Sequence, residues 1–329
     1  MGHTPAVVGD QLFSGSCNGM FHALDRLTGQ VRWETDLRPK GDTSMYAFHG
    51  DPLITEKLVI VGANGFDAAA GGIYALDRLT GSILWTYPAG RGVDSAVVGL
   101  GRNAYAATHE GKLICLDVDS GHLRWSFPVD VAGGGPTVID GRVIAGSLDG
   151  NVYALDGRTG KVVWRKALDA AITTSVTAHG SDLYLGTLTG WIYRLRAKDG
   201  AVVSSLQMDS VPCGMPLRVK ESLLVFLADM QANYHSLVCL DLSLKLERWR
   251  QKAPRPSNWA QSRIPVWGDC VVVGTSAGEV IAFSLRDGSQ SWQQALKGHV
   301  RSIGDSGDAI YVSTTEGIIY AFIPPRKEM

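Results

Sequence analysis

Gly274-Thr275-Ser276-Ala277-Gly278 has the G-x-S-x-G spacing of a nucleophile elbow, which raises a serine on a strained strand-to-helix turn near a histidine and an acid. No helical pattern follows it. The same glycine frame recurs at 15–19 and 186–190, so a hairpin turn is the expected role. Gly99-Leu100-Gly101-Arg102-Asn103-Ala104 imitates a dinucleotide fingerprint, again without a helix N-terminus to hold a phosphate. Asp117 and Asp119 open like a calcium loop whose later ligands never arrive. The 8 histidines lack H-x-x-x-H and H-E-x-x-H spacing, so no metal site is expected. The 5 cysteines include no adjacent pair and no C-x-x-C, which excludes a disulfide framework and a zinc knuckle. Cys115 and Cys239 read as core fillers. No catalytic set is complete.

What must position these residues is a repeat. The frame G-S-x-x-G-x-x-x-A-L-D-x-x-T-G-x-V-x-W is shared by 15–33 and 146–164. The A-L-D triplet, or a degenerate form of it, begins at Ala23, Ala75, Cys115, Ala154, Arg194, Cys239, Ala282 and Ala321, with spacings of 52, 40, 39, 40, 45, 43 and 39 residues. Eight units result, at about 4–38, 46–88, 93–128, 132–169, 171–208, 212–252, 261–297 and 299–323, forming one domain from 1 to 329. Each unit shows four short β-branched runs separated by Asp-Gly or Thr-Gly turns, as at Asp140-Gly141, Asp149-Gly150 and Thr159-Gly160. No segment holds a helical period. The pattern predicts an all-β, eight-bladed β-propeller of four-stranded antiparallel blades. Pro324-Pro325 denies ladder bonds to a further strand, so the last blade is expected to have three.

Composition agrees. Hydrophobic residues are 45% and charged residues 19% of 329, enough apolar content for a large core. A net charge of −1 leaves nothing to attract nucleic acid, and no apolar run is long enough to span a membrane. Met1-Gly2-His3-Thr4-Pro5 shows no signal-peptide pattern, which predicts a cytoplasmic protein as the sequence stands, or a periplasmic one if a leader was removed. A monomer is expected.

The A-x-D-x-x-T-G-x-x-x-W spacing resembles the pyrroloquinoline-quinone-type propeller repeat, a family that includes quinoprotein dehydrogenases and BamB-like assembly lipoproteins. The resemblance implies that Trp33, Trp85, Trp125, Trp164 and Trp292 dock between neighbouring blades. Ser204 and Lys245 are read as replacing that tryptophan in units five and six. Dehydrogenases of this family clamp the quinone against adjacent cysteines, which this chain lacks. No quinone and no other cofactor is therefore expected.

Loop insertions fall on the face that rims the central channel, at 38–51, 64–72, 229–235 and 253–261. Units two and six are opposite in an eight-membered ring, so these insertions are expected to form two walls of a groove. The candidate partner-binding residues there are Tyr46, His49, Asp51, Arg91, Asp94, Tyr234, Trp259, Arg263, His299 and Arg301. Aligned inner strands place His3, Gly50, Ser95, Gly134, Thr174, Gly214, Arg263 and Arg301 in one ring, cationic at Arg263 and Arg301 and open where glycine stands. Arginine forks suit carboxylate or phosphate. The expected function is a non-catalytic scaffold binding a protein, a peptide or a small anionic ligand. The alternative is a quinoprotein oxidoreductase or another funnel-site enzyme using Asp94, His49 and His299 for acid–base work.

Overall fold

Asp140 and Gly141 both adopt positive φ (48° and 76°), and Ile139 pairs directly with Arg142 across them. That geometry is the two-residue turn whose twist matches antiparallel strands. It starts the fourth blade, whose strands are Thr137–Ile139, Arg142–Gly146, Asn151–Asp156 and Val162–Ala167, hydrogen-bonded in that order. In the computed structural model, which describes residues 4–41, 45–65, 71–131, 134–228, 234–254 and 265–323, this unit is repeated around a ring. Eight sheets form an all-β, eight-bladed propeller. The last blade has three strands, Val300–Asp305, Ile310–Thr314 and Ile319–Phe322.

The repeat's sequence marks explain each turn of the blade. Asp156 Oδ1 accepts from the backbone N–H and the hydroxyl of Thr159, both at 2.7 Å, closing the D-x-x-T-G turn. These bonds to its charged form hold the Asp156 carboxyl below the usual carboxylate range. Gly160 then takes a left-handed φ of 69°. A β-bulge follows at the triplet, between Ala154 and Leu155, and recurs at the same place in all seven blades that have a fourth strand. Ala154 pairs directly with Trp164, so a small residue faces the indole across the sheet. Cys115 faces Trp125 in the same way. In blade five both partners change together: Arg194 faces Ser204, and its guanidinium reaches Asp182 at 2.7 Å.

The indole leaves its own blade and seats on the next. Nε1 of Trp33, Trp85, Trp125 and Trp164 donates to the carbonyls of Arg78, Val118, Gly157 and Ala197 at 2.9–3.0 Å. Trp292 packs between Trp267 and Phe322, with ring centroids at 6.0 and 5.8 Å. Unit six corrects the sequence reading: Trp249, not Lys245, occupies the position, ten residues after Cys239, and donates to the Leu285 carbonyl at 3.1 Å. Blade five has serine, not tryptophan, at this fourth-strand position, and the Tyr184 hydroxyl donates to the Leu242 carbonyl at 3.3 Å.

Buried apolar residues accordingly gather between blades rather than at one centre. Ile144, Val152 and Ala154 of blade four pack with Leu183, Leu185 and Leu195 of blade five, for example. The ring closes between blades eight and one. Arg26 grips Asp308 with both guanidinium nitrogens, and Gly304 lies so close to the Pro5 carbonyl that a Cβ would sit 2.0 Å from its oxygen.

Blade two departs from the four-strand pattern. Its inner strand is split into Tyr46–Ala47 and Leu53–Ile54, both paired with Leu58–Gly65. Residues 48–52 therefore loop out opposite only 61–63.

Removing a seated indole leaves the next blade's glycine turn bare and its carbonyl unpaired. Trp125→Ala is expected to lose about 3–5 kcal/mol of stability. Trp125→Phe, which keeps most of the apolar area, should lose markedly less. Denaturant titration of both variants checks this, and an unchanged midpoint for Trp125→Ala would refute the docking role.

Candidate functional site

The face bearing the connections between successive blades carries the charged residues nearest the channel, and strand bulges aim them. In blade eight the register skips Arg301: Val300 pairs with Thr314 and Ser302 with Ser313. An extra residue of this kind is released from the ladder and can be turned out of it. In blade two the looped-out 48–52 holds His49 and Asp51. Blade six has a third such bulge, between Cys213 and Leu217.

His49, Asp94, His109 and Asn64 form one cluster where blades two and three meet. Asp94 Oδ2 lies 2.7 Å from His109 Nε2, and its Oδ1 lies 3.6 Å from His49 Nε2. Asn64 Nδ2 donates to Asp94 and approaches His109 Nε2 at 3.0 Å. Burial favours the neutral imidazole and pushes His49 below its ordinary value, against the pull of Asp94. His49 and Asp94 were each expected among the funnel residues, but not as a pair. His109 was not among them: it sits in a second-to-third-strand hairpin, on the same face, and that placement was the available signal.

Arg301 forms a second group, donating to Cys17 Sγ at 2.6 Å. Among the described residues no carboxylate lies within ion-pair distance of its guanidinium. His299 is exposed, its backbone N–H donates to the Thr315 hydroxyl oxygen at 3.0 Å, and its Nδ1 contacts the Ser276 carbonyl. Ser276 itself lies in a tight hairpin, with Thr275 N–H bonded to Glu279 O, and no helix follows.

The remaining expected residues are scattered. Tyr46 is fully buried, its hydroxyl 3.5 Å from that of Tyr74. Asp51 borders a cavity of about 380 Å³ formed by the innermost strands, together with Ala96, Gly134, Ser175 and Met215. Arg91 is exposed on the blade two-to-three connection. Tyr234 is half-buried under Lys252, whose Nζ lies 4.6 Å from the ring centroid. Trp259, Arg263 and His3 lie outside the described residues, as do most of the two expected loop walls. The ring glycines do not open the mouth. A Cβ on Gly50 would sit 2.0 Å from the Ser95 carbonyl oxygen, and Gly134 O accepts from Ala96 N–H at 2.7 Å. Glycine there lets neighbouring inner strands touch.

A family profile described as "Outer membrane protein assembly factor BamB" matches residues 1–133 and 129–323. The chain belongs to this family. Outer membrane protein assembly factor BamB of Moranella endobia is 23% identical over 97% of this chain and 84% of its own length. The Yersinia pestis protein of the same name is 22% identical over 97% and 83%. The BamB crystal structure from Moraxella catarrhalis superposes with a TM-score of 0.78 at 17% identity, covering 99% of this chain and 95% of that one. A quinohemoprotein alcohol dehydrogenase from Comamonas testosteroni shares the fold, with a TM-score of 0.71 at 14% identity over 95% of this chain and 70% of its own. All five cysteines are single, three of them buried, and among the described residues no three His, Cys, Asp or Glu side chains converge to hold a metal.

Because His49 has its pKa lowered by folding, the unfolded chain takes up a proton first as pH falls. The stability tied to neutral His49 is full above about 6.5, its ordinary value, and declines as pH drops toward the lowered one. His22, lowered mainly by burial, adds in the same direction. Melting temperature is expected to fall between pH 7.5 and 5.5, and His49→Gln should shrink that fall without abolishing it. An identical pH dependence in His49→Gln would show that the cluster titrates without coupling to folding.

Proposed function

We propose that this chain is a non-catalytic scaffold that binds protein partners on its channel face during the assembly of outer membrane proteins. The observation that carries this reading is the family match along nearly the whole propeller, from residue 1 to 323. The geometry supports it in two ways. The polar groups of the face bond to one another, as Asp94 does to both histidines, instead of surrounding a reacting point. Arg301 is released from its strand and has no carboxylate partner among the described residues, which suits an acidic group on a partner. Arg263, by its place in the aligned ring, is its proposed neighbour.

The reading places the chain on the periplasmic side of the envelope, where outer membrane proteins are assembled, rather than in the cytoplasm. It also has the chain act as a monomer and without quinone. The funnel-site enzyme is the weaker reading, because Asp94 is already engaged with His49, His109 and Asn64 and the cysteine pair is missing.

Two measurements separate the readings. Photo-crosslinking from position 91 in a bacterial envelope is expected to capture a discrete protein partner. Arg263→Ala with Arg301→Ala should reduce that capture more than about tenfold at unchanged melting temperature. Equal capture by the double variant would refute the arginine site. Addition of pyrroloquinoline quinone and calcium should give no dye-linked alcohol oxidation, and turnover would restore the enzyme.

A further inference from the structure

The face opposite the channel mouth carries the short turns, and between blades six and seven three departures from the repeat meet on it. The first is Lys220. In the turn joining first and second strands, the first residue is left-handed and is glycine in four blades: Gly9, Gly101, Gly180 and Gly268, at φ of 56–62°. Blade four has Asp140 there, a short polar residue that tolerates the region. Blade six has Lys220, at φ 52°. A long side chain gains nothing from that backbone, so such an outlier points to a use for the side chain itself.

The second is Arg248. In blades one and three the arginine preceding the docking indole pairs with the triplet aspartate, Arg32 with Asp25 at 2.6 Å and Arg124 with Asp117. Each aspartate caps its turn with Oδ1 and takes the arginine with Oδ2. The longer turn of blade six uses both oxygens of Asp241. Oδ1 accepts from the N–H groups of Lys245 and Leu246 at 2.8 and 2.6 Å, and Oδ2 from that of Ser243 at 3.1 Å. Arg248 donates instead to the Ser222 hydroxyl at 2.8 Å, and among the described residues no carboxylate pairs with it. The third departure is Ser284, which stands where the triplets of blades one to four and six end in aspartate. A carboxylate is therefore missing from this place.

Lys220, Ser222, Arg248, Ser284 and Arg286 line one cleft of about 640 Å³. Two acids border it as well, each already answered by a cation. Glu221 lies 3.4 Å from Arg218, and Asp269 lies 3.4 Å from Lys220, with both side chains of the latter pair well exposed. An ion pair so exposed is weak and readily exchanged. We propose that this cleft binds a phosphate group, carried by a free phosphate ion or by a phosphomonoester headgroup. A planar carboxylate is satisfied by one fork, as Asp25 is by Arg32, whereas a tetrahedral dianion presents oxygens to both walls at once. Arg248 and Lys220 would reach it from blade six and Arg286 from blade seven, with the two serine hydroxyls donating to further oxygens. Serine in place of aspartate at 284 removes the charge that would repel it. The site shares no residue with the channel face, so it stands or fails independently of the reading proposed there.

The test titrates the full chain with inorganic phosphate at low ionic strength, followed by calorimetry, and in parallel sediments it with phosphatidylcholine vesicles containing phosphatidic acid. Saturable one-to-one binding of phosphate is expected. Arg248→Gln should weaken it more than about tenfold, as loss of a charge-assisted bond does. Ser284→Asp, which restores the residue of the other blades, should weaken it at least as much at unchanged melting temperature. Lys220→Gly, which gives the turn its usual residue, should not lower the melting temperature yet should still weaken binding. Vesicle capture that Ser284→Asp abolishes would place the phosphate on a lipid headgroup, and phosphate binding without vesicle capture would make the ligand a soluble one; either supports the site. Absence of both, equal binding of acetate, or unchanged binding in Arg248→Gln or Ser284→Asp would overturn it.

Discussion

A four-stranded blade of this size cannot bury both of its faces, so every blade depends on what its neighbour lays against it. In this protein that dependence is concentrated in the indole that crosses from one blade's outer strand to the next blade's glycine turn. The contact sets two other choices. It requires a residue without Cβ at Gly81, Gly121, Gly160, Gly200 and Gly288, since a methyl group would collide with the ring. It requires a small residue opposite the tryptophan, which is why alanine or cysteine opens the triplet. The bulge at the triplet does not depend on it, since blade five keeps the bulge without the indole. Blade five shows the choices are linked: without the indole, a large arginine stands opposite a serine.

The blade count was legible because its signals are local. Asp-Gly and Thr-Gly turns, the capping aspartate and the triplet all lie within a few residues of one another, and each acts through short-range hydrogen bonds and φ preferences. The docking role of Trp33 or Trp164 was legible for the same reason. Trp249 was missed because the turn before it, Leu242-Ser243-Leu244-Lys245, replaces Thr-Gly with a leucine at φ 58° and hides the ten-residue interval. The candidate site was legible only in part. Strand order assigned His49, Asp94 and Arg301 to the correct face, but whether side chains meet depends on bulges and on hairpins from other blades. His109 reaches Asp94 from a hairpin fifteen residues on, and nothing in the repeat frame marks a hairpin residue as a partner. Glycines in the inner ring misled because glycine signals both open space and close approach, and only the neighbouring strand decides between them.

The polar clusters of the channel face described above lie in one arc. Blades four and five follow the repeat without interruption in their inner strands, whereas the His49–Asp94 cluster and Arg301 occupy blades eight, one, two and three. The two bulged inner strands of this arc, in blades two and eight, are where residues leave the ladder. A bulge costs pairing, and a ring of blades tolerates it because each blade remains held by its flanking strands and its neighbours. Regular blades thus supply the rigidity against which irregular ones can display polar side chains.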